Sequence, residues 1–86
     1  MNCKTILDII ISNIKYVKPS LENYMFKTSD NLVNLGTNSV ERSEIIMMTL
    51  EKLDLRIPLV ETYGPNNIGE LAQLLSDKKL MNENAC

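Results

Sequence analysis

A serine preceded by a glycine turn is the residue best placed to do chemistry in this sequence. In Leu35-Gly36-Thr37-Asn38-Ser39-Val40, Ser39 opens a helical pattern after a long polar connection, so its hydroxyl is expected at the surface. The first turn of a helix leaves backbone N–H groups unpaired and carries the positive end of the helix dipole. A phosphodiester on that hydroxyl would be stabilised there. The sequence has no histidine. Ser39 therefore lacks the usual base, and a self-activated nucleophile of the Ser-His-Asp kind is not expected. On the local pattern alone, a serine that merely starts a helix is the favoured account of the position.

The residues that follow Ser39 add a second feature. At 100° per residue, Val40, Glu44, Met47 and Glu51 form one stripe descending from the serine, flanked by Glu41 and Met48. A purely solvated face is polar throughout, whereas this one sets apolar anchors among carboxylates, as transient docking surfaces do. Single exposed apolar residues are ordinary. Two of them beside one candidate serine mark a surface for partner proteins. Arg42 lies near the buried side of the same helix, where its stem can snorkel to the rim or its head meet a partner or a phosphate.

Length and composition set the outer limits. Eighty-six residues, 44% hydrophobic and 23% charged, make one small globular domain over residues 1–86, with a core at about 4–78 and frayed ends. The net charge of −2 argues against nucleic-acid binding. Without histidine, most zinc sites are excluded and no metal is expected. Cys3 and Cys86 stand at opposite ends of the sequence and are expected as free thiols in a reducing cytoplasm. The apolar run Ile9–Ile11 is broken by Asp8, Ser12 and Asn13, which excludes an export signal or a membrane span there. With no base, metal cluster or phosphate loop, an enzyme in its own right is the least favoured class.

The elements that must position Ser39 read as helices. Ile6, Leu7, Ile10, Ile14 and Val17 recur at helical spacing; Asn2 caps their start and Pro19 ends them. From Lys18 to Thr37 runs a long loop, expected to lie over the core as a lid with a helical turn near Leu21–Tyr24. Gly36 supplies a positive φ before the next helix. That helix runs from Asn38, its N-cap with Glu41 completing a capping box, through Leu53. It buries Ile45, Ile46, Thr49, Leu50 and Leu53. Leu59–Tyr63 makes a short helix before the Gly64-Pro65-Asn66 turn. A last helix spans about Asn67 to Lys79 with Ile68, Leu71, Leu74 and Leu75 on one stripe. No segment alternates with period two. The expected architecture is all-α, a small bundle of three main helices plus one short helix, with the long loop between the first and second.

Residues 29–61, with Leu-Gly-Thr-Asn-Ser-Val at their centre and Ile57-Pro58 after the second helix, resemble the centre of an acyl carrier protein. Gly64-Pro65-Asn66-Asn67-Ile68-Gly69-Glu70-Leu71-Ala72 resembles the start of that family's last helix. The resemblance covers about residues 4–78. It implies that Ser39 receives 4′-phosphopantetheine from coenzyme A through a phosphopantetheinyl transferase, and that the thiol at the arm's end carries acyl groups between enzymes. The transferase supplies the activation, so the carrier needs no base. The family usually has Asp before the serine; Asn38 keeps the cap and removes a charge. The stretch Asn38–Leu53, with Ile57-Pro58-Leu59-Val60-Glu61 and Asn67-Ile68-Gly69-Glu70-Leu71-Ala72, is most similar to the free-standing donor carriers of β-branching cassettes in bacterial modular polyketide pathways. This implies acetyl, from malonyl, as cargo and an HMG-CoA-synthase-like enzyme as acceptor. An acyltransferase and a decarboxylating ketosynthase-like enzyme are implied as further partners. Asn38, Val40, Glu41, Arg42, Glu44, Met47 and Glu51 are the expected contacts. Alternatives at this stage are a fatty-acid or peptidyl carrier, or a helical adaptor without any prosthetic group.

Overall fold

The computed structural model describes residues 2–84, with side chains through residue 80. Cys86, and with it any pairing to Cys3, lies outside the described residues. Helix α1 spans Cys3–Val17, α2 Ser39–Lys52 and α3 Ile68–Asn84, with short 3-10 turns at Pro19–Leu21 and Leu59–Thr62. No strand occurs among the described residues. The all-α bundle with a long first loop is as expected. α1 is the central element, packing against both α2 and α3, while α2 also meets the Leu59–Thr62 turn.

α1 begins where the Asn2 carboxamide accepts the Thr5 N–H at 2.8 Å. It ends at Lys18, which Pro19 holds out of helical geometry. Ile6, Ile10 and Ile14 are wholly buried; Leu7 and Val17 are only partly so. Each buried isoleucine stabilises the fold by roughly 1.5–3 kcal/mol. Asn13 is buried as well, in a chain of polar contacts that joins two helices. Its Nδ2 donates to Thr49 Oγ1 at 2.8 Å, and that hydroxyl donates to the Ile45 carbonyl at 2.8 Å. A buried amide left unpaired costs about 1–3 kcal/mol, so this pair ties the rotational setting of α1 to that of α2.

The long loop does pack down as a lid. Tyr24 N–H returns to the Leu21 carbonyl at 3.0 Å in the expected turn, and a 3-10 helix at Pro19–Leu21 precedes it, because proline presets the φ of a first helical position. Leu32 and Leu35 enter the core, whereas Met25 and Val33 face outward. Asp30 organises the middle of the loop. Its carboxylate accepts the Lys27 N–H at 2.8 Å and the Tyr24 hydroxyl at 3.0 Å. That hydrogen bond to the carboxylate holds the Tyr24 phenol above its ordinary pKa of 10.0.

The same loop is clasped to α3. Ile68 N–H donates to the Asp30 carbonyl at 2.8 Å and Gly69 N–H to the Thr28 carbonyl at 3.0 Å, which pairs amides that a helix start would leave free. α3 starts one residue after the expected Asn67 and runs past Lys79 to Asn84, there being no glycine or proline to stop it. Ile68, Leu71, Ala72 and Leu75 are buried and Leu74 only half so. α2 ends at Lys52 rather than Leu53. Asp54 takes φ 51°, and Leu55 N–H returns to the Leu50 carbonyl at 2.9 Å, closing the helix.

Gly69 is where the clasp has no spare room. A Cβ there would lie 2.8 Å from Thr28 Cβ and 3.0 Å from the Thr28 carbonyl oxygen. Gly69→Ala is therefore expected to cost about 1–3 kcal/mol, as overpacking does. Gly64→Ala, where a Cβ meets nothing within 4 Å, should leave the thermal midpoint unchanged. Equal midpoints for the two variants in thermal denaturation would refute the clasp.

Candidate functional site

Ser39 is exposed and is the first residue of α2. Several contacts hold it there. Gly36 adopts φ 87°, the positive value expected of it, and turns the chain into the helix. The capping box is complete: Asn38 Oδ1 accepts Glu41 N–H at 2.8 Å, and Glu41 Oε1 accepts Asn38 N–H at 2.9 Å. Lys18, at the end of α1, lays its stem over Gly36 and brings Nζ to 3.9 Å from Glu41 Oε1. Thr37 is buried, its hydroxyl donating to the Leu32 carbonyl at 2.6 Å. The residues flanking the serine are thus fixed while its own side chain faces outward.

Arg42 has a definite role in this junction. Its stem is half-buried on the side of α2 nearest the core, and Nη1 donates to the Thr37 carbonyl at 2.9 Å. Charge-assisted bonds of this kind are stronger than neutral ones. The guanidinium closes the turn that carries Ser39 and also borders a cleft of about 520 Å³ between α2, the long loop and the start of α3. Ser39 lies on one edge of that cleft, Val33 and Tyr63 on others, and Leu32, Ile46, Ile68 and Leu71 form its floor. Asn31, Asn34, Asn66 and Asn67 supply amides around it. Among the described residues, Arg42 is the one side chain of fixed charge in the lining.

A second, shallower groove runs down the outer face of α2 from the same serine, lined by Val40, Ser43, Glu44, Met47, Met48 and Glu51. Val40 is 72% exposed and Met47 56%. Glu44 and Glu51 are exposed, Glu41 and Met48 half-buried. The stripe expected from the sequence is therefore on one open surface with Ser39. Asn38 and Arg42 depart from it: they hold the turn in place, and Asn38 stays exposed while doing so. On the opposite side, Ile45, Ile46, Thr49, Leu50 and Leu53 are all buried. Among the described residues, no three His, Cys, Asp or Glu side chains come together as metal ligands, and no helix is long and apolar enough to cross a membrane.

The Ser39 hydroxyl, at a capped helix start between an amide-edged cleft and an acidic groove with apolar side chains, is open to solvent on both sides. Comparison with known proteins decides its family. The chain is 49% identical over 78 residues to the polyketide biosynthesis acyl-carrier-protein AcpK of Bacillus subtilis (strain 168), covering 91% of this chain and 95% of that protein. The chain belongs to the acyl carrier proteins. Among solved structures, it matches a carrier chain from the curacin biosynthetic pathway HMG synthase in complex with acetyl donor-ACP. The TM-score is 0.87 at 43% identity, over 90% of this chain and 99% of that one. No family model matches.

Sequence reasoning missed the two polar contacts that organise this carrier's helix α2, Arg42 to Thr37 and Asn13 to Thr49. A buried asparagine on an otherwise isoleucine-rich face was the available signal for the second. Removing the cap should be measurable: Asn38→Ala is expected to lower stability by about 0.5–2 kcal/mol, and Asn38→Asp, which can still accept the Glu41 N–H, by much less. Urea denaturation of the two variants checks this.

Proposed function

We propose that this chain carries an acetyl group, derived from malonyl, as a thioester on 4′-phosphopantetheine attached to Ser39. It donates that group to an HMG-CoA-synthase-like enzyme for polyketide β-branching. The observation that carries the attachment site is an exposed hydroxyl at the start of a capped helix, on the edge of a cleft bordered by one cation. The likeness to an acetyl-donor carrier crystallised with its HMG synthase supports the cargo and the acceptor.

The residues present fit the prosthetic group. The α2 N-terminus and Arg42 place positive potential beside Ser39, which suits a phosphodiester. The amide-edged cleft offers donors and acceptors to the pantetheine amides, over an apolar floor. When bound, the group supplies a terminal thiol that holds acetyl as a thioester. Ser39 is the tether; the Asn38–Glu41 capping box and the Arg42–Thr37 contact keep it turned outward. The chain, which has no histidine, acts as a protein substrate whose partners provide the base. These partners are a phosphopantetheinyl transferase, the loading acyltransferase and decarboxylating ketosynthase-like enzyme, and the acetyl-accepting synthase.

Partners dock on the outer face of α2. Val40 and Met47 anchor apolar contacts, while Glu44 and Glu51, with Glu41 beside them, steer a basic surface, giving fast and salt-sensitive exchange. Met47→Lys and Glu44→Lys change exposed positions and should leave the helix folded. Each is expected to slow acetyl transfer to purified synthase by roughly tenfold, the scale of an interface anchor or charge reversal. Transfer at the wild-type rate by both variants would rule out this docking face.

A further inference from the structure

Charge is distributed unevenly about Ser39. On the groove side of α2 stand Glu44 and Glu51. On the cleft side, among the described residues, the lining holds Arg42 and no carboxylate. Glu41, two residues after the serine, is engaged elsewhere: its Oε1 accepts Asn38 N–H at 2.9 Å and meets Lys18 Nζ at 3.9 Å. The ion pairs among the described residues are Lys18–Glu41 and Lys78–Glu61, so Arg42 has no acidic partner there. Arg42 is half-buried, and its Nη1 donates to the Thr37 carbonyl at 2.9 Å. That bond uses one of the five N–H donors of a planar guanidinium fork. A half-buried cation facing one neutral acceptor is incompletely compensated, since a charge drawn from water is costly without a counter-charge.

We propose that Arg42 is the positioning residue of the prosthetic group. Its guanidinium holds the phosphodiester on Ser39 while keeping the Thr37 carbonyl, and so turns the root of the arm toward the cleft. The proposal rests on the carrier reading above and adds a direction to it. Residues three apart on a helix are surface neighbours, which sets a phosphate on Ser39 beside the Arg42 fork. Bonds from arginine to phosphate are charge-assisted, and the planar fork serves two acceptors at once. The same anion is repelled by Glu44 and Glu51, which leaves the groove clear for partner proteins. A link from phosphate through Arg42 to Thr37 also ties the attached group to the turn that carries it. Attachment therefore stabilises the fold, by a gain that depends on Arg42.

The test compares the protein before and after phosphopantetheinylation, without an acyl cargo. In the wild type, the thermal midpoint is expected to rise by about 4 °C or more on attachment. Arg42→Gln, which keeps an amide donor for the Thr37 carbonyl but no charge, is expected to abolish that rise. A purely structural Arg42 would instead lower both midpoints together and leave the difference intact, which overturns the proposal. A wild type whose midpoint does not rise overturns it as well and needs no variant. Phosphorus NMR gives an independent reading. The phosphodiester resonance is expected to differ between the modified wild type and modified Arg42→Gln, and coincident resonances contradict the contact. Nuclear Overhauser contacts from the geminal methyls of the arm report its side, expected at Val33 or Tyr63 of the cleft. Contacts to Met47 of the groove instead overturn the assigned direction. A wild type that takes no pantetheine at Ser39 removes the carrier reading itself, an outcome distinct from a modified protein with an unchanged midpoint.

Discussion

The turn from Leu35 to Ser39 is the constraint on which the site depends. The chain must leave a buried loop, reverse at one left-handed glycine and start a helix with its first hydroxyl pointing outward. None of those steps is favourable alone: an uncapped helix start leaves amides unpaired, and a loop held down over a core loses entropy. The reciprocal Asn38–Glu41 bonds, the Thr37 hydroxyl on the Leu32 carbonyl and the Arg42 guanidinium on the Thr37 carbonyl offset those costs locally. The result is a serine whose flanking backbone is held and whose side chain is exposed.

The rest of the bundle supports that turn from below. α1 bridges α2 and α3 through three wholly buried isoleucines, Ile6, Ile10 and Ile14. The Asn13–Thr49 contact adds direction to that otherwise non-directional packing. The clasp of Thr28 and Asp30 on the first turn of α3 fixes the other wall of the cleft, so both borders of the opening beside Ser39 are anchored to structure some distance away in sequence. The carrier thereby keeps an anchored frame around the exposed Ser39 hydroxyl.

Much of this was legible because it is local. The capping box is written in Asn38 and Glu41, the positive φ in Gly36, and the buried face of α2 in the spacing of Ile45, Ile46, Thr49, Leu50 and Leu53. The exposed stripe of Val40, Glu44, Met47 and Glu51 followed from the same periodicity. The parts that escaped are those whose partner is remote. Asn13 looked like an interruption because Thr49 lies 36 residues away. Gly69 carries no sign that Thr28 will press on it.

The central claim is that Ser39 alone bears the prosthetic group, and peptide mapping by tandem mass spectrometry tests it most directly. The protein is incubated with coenzyme A and a broad-specificity phosphopantetheinyl transferase, then digested. A single pantetheine-bearing fragment is expected, with the modification assigned to Ser39. An unmodified protein, or a modification assigned to Ser43 or another serine, would contradict the account.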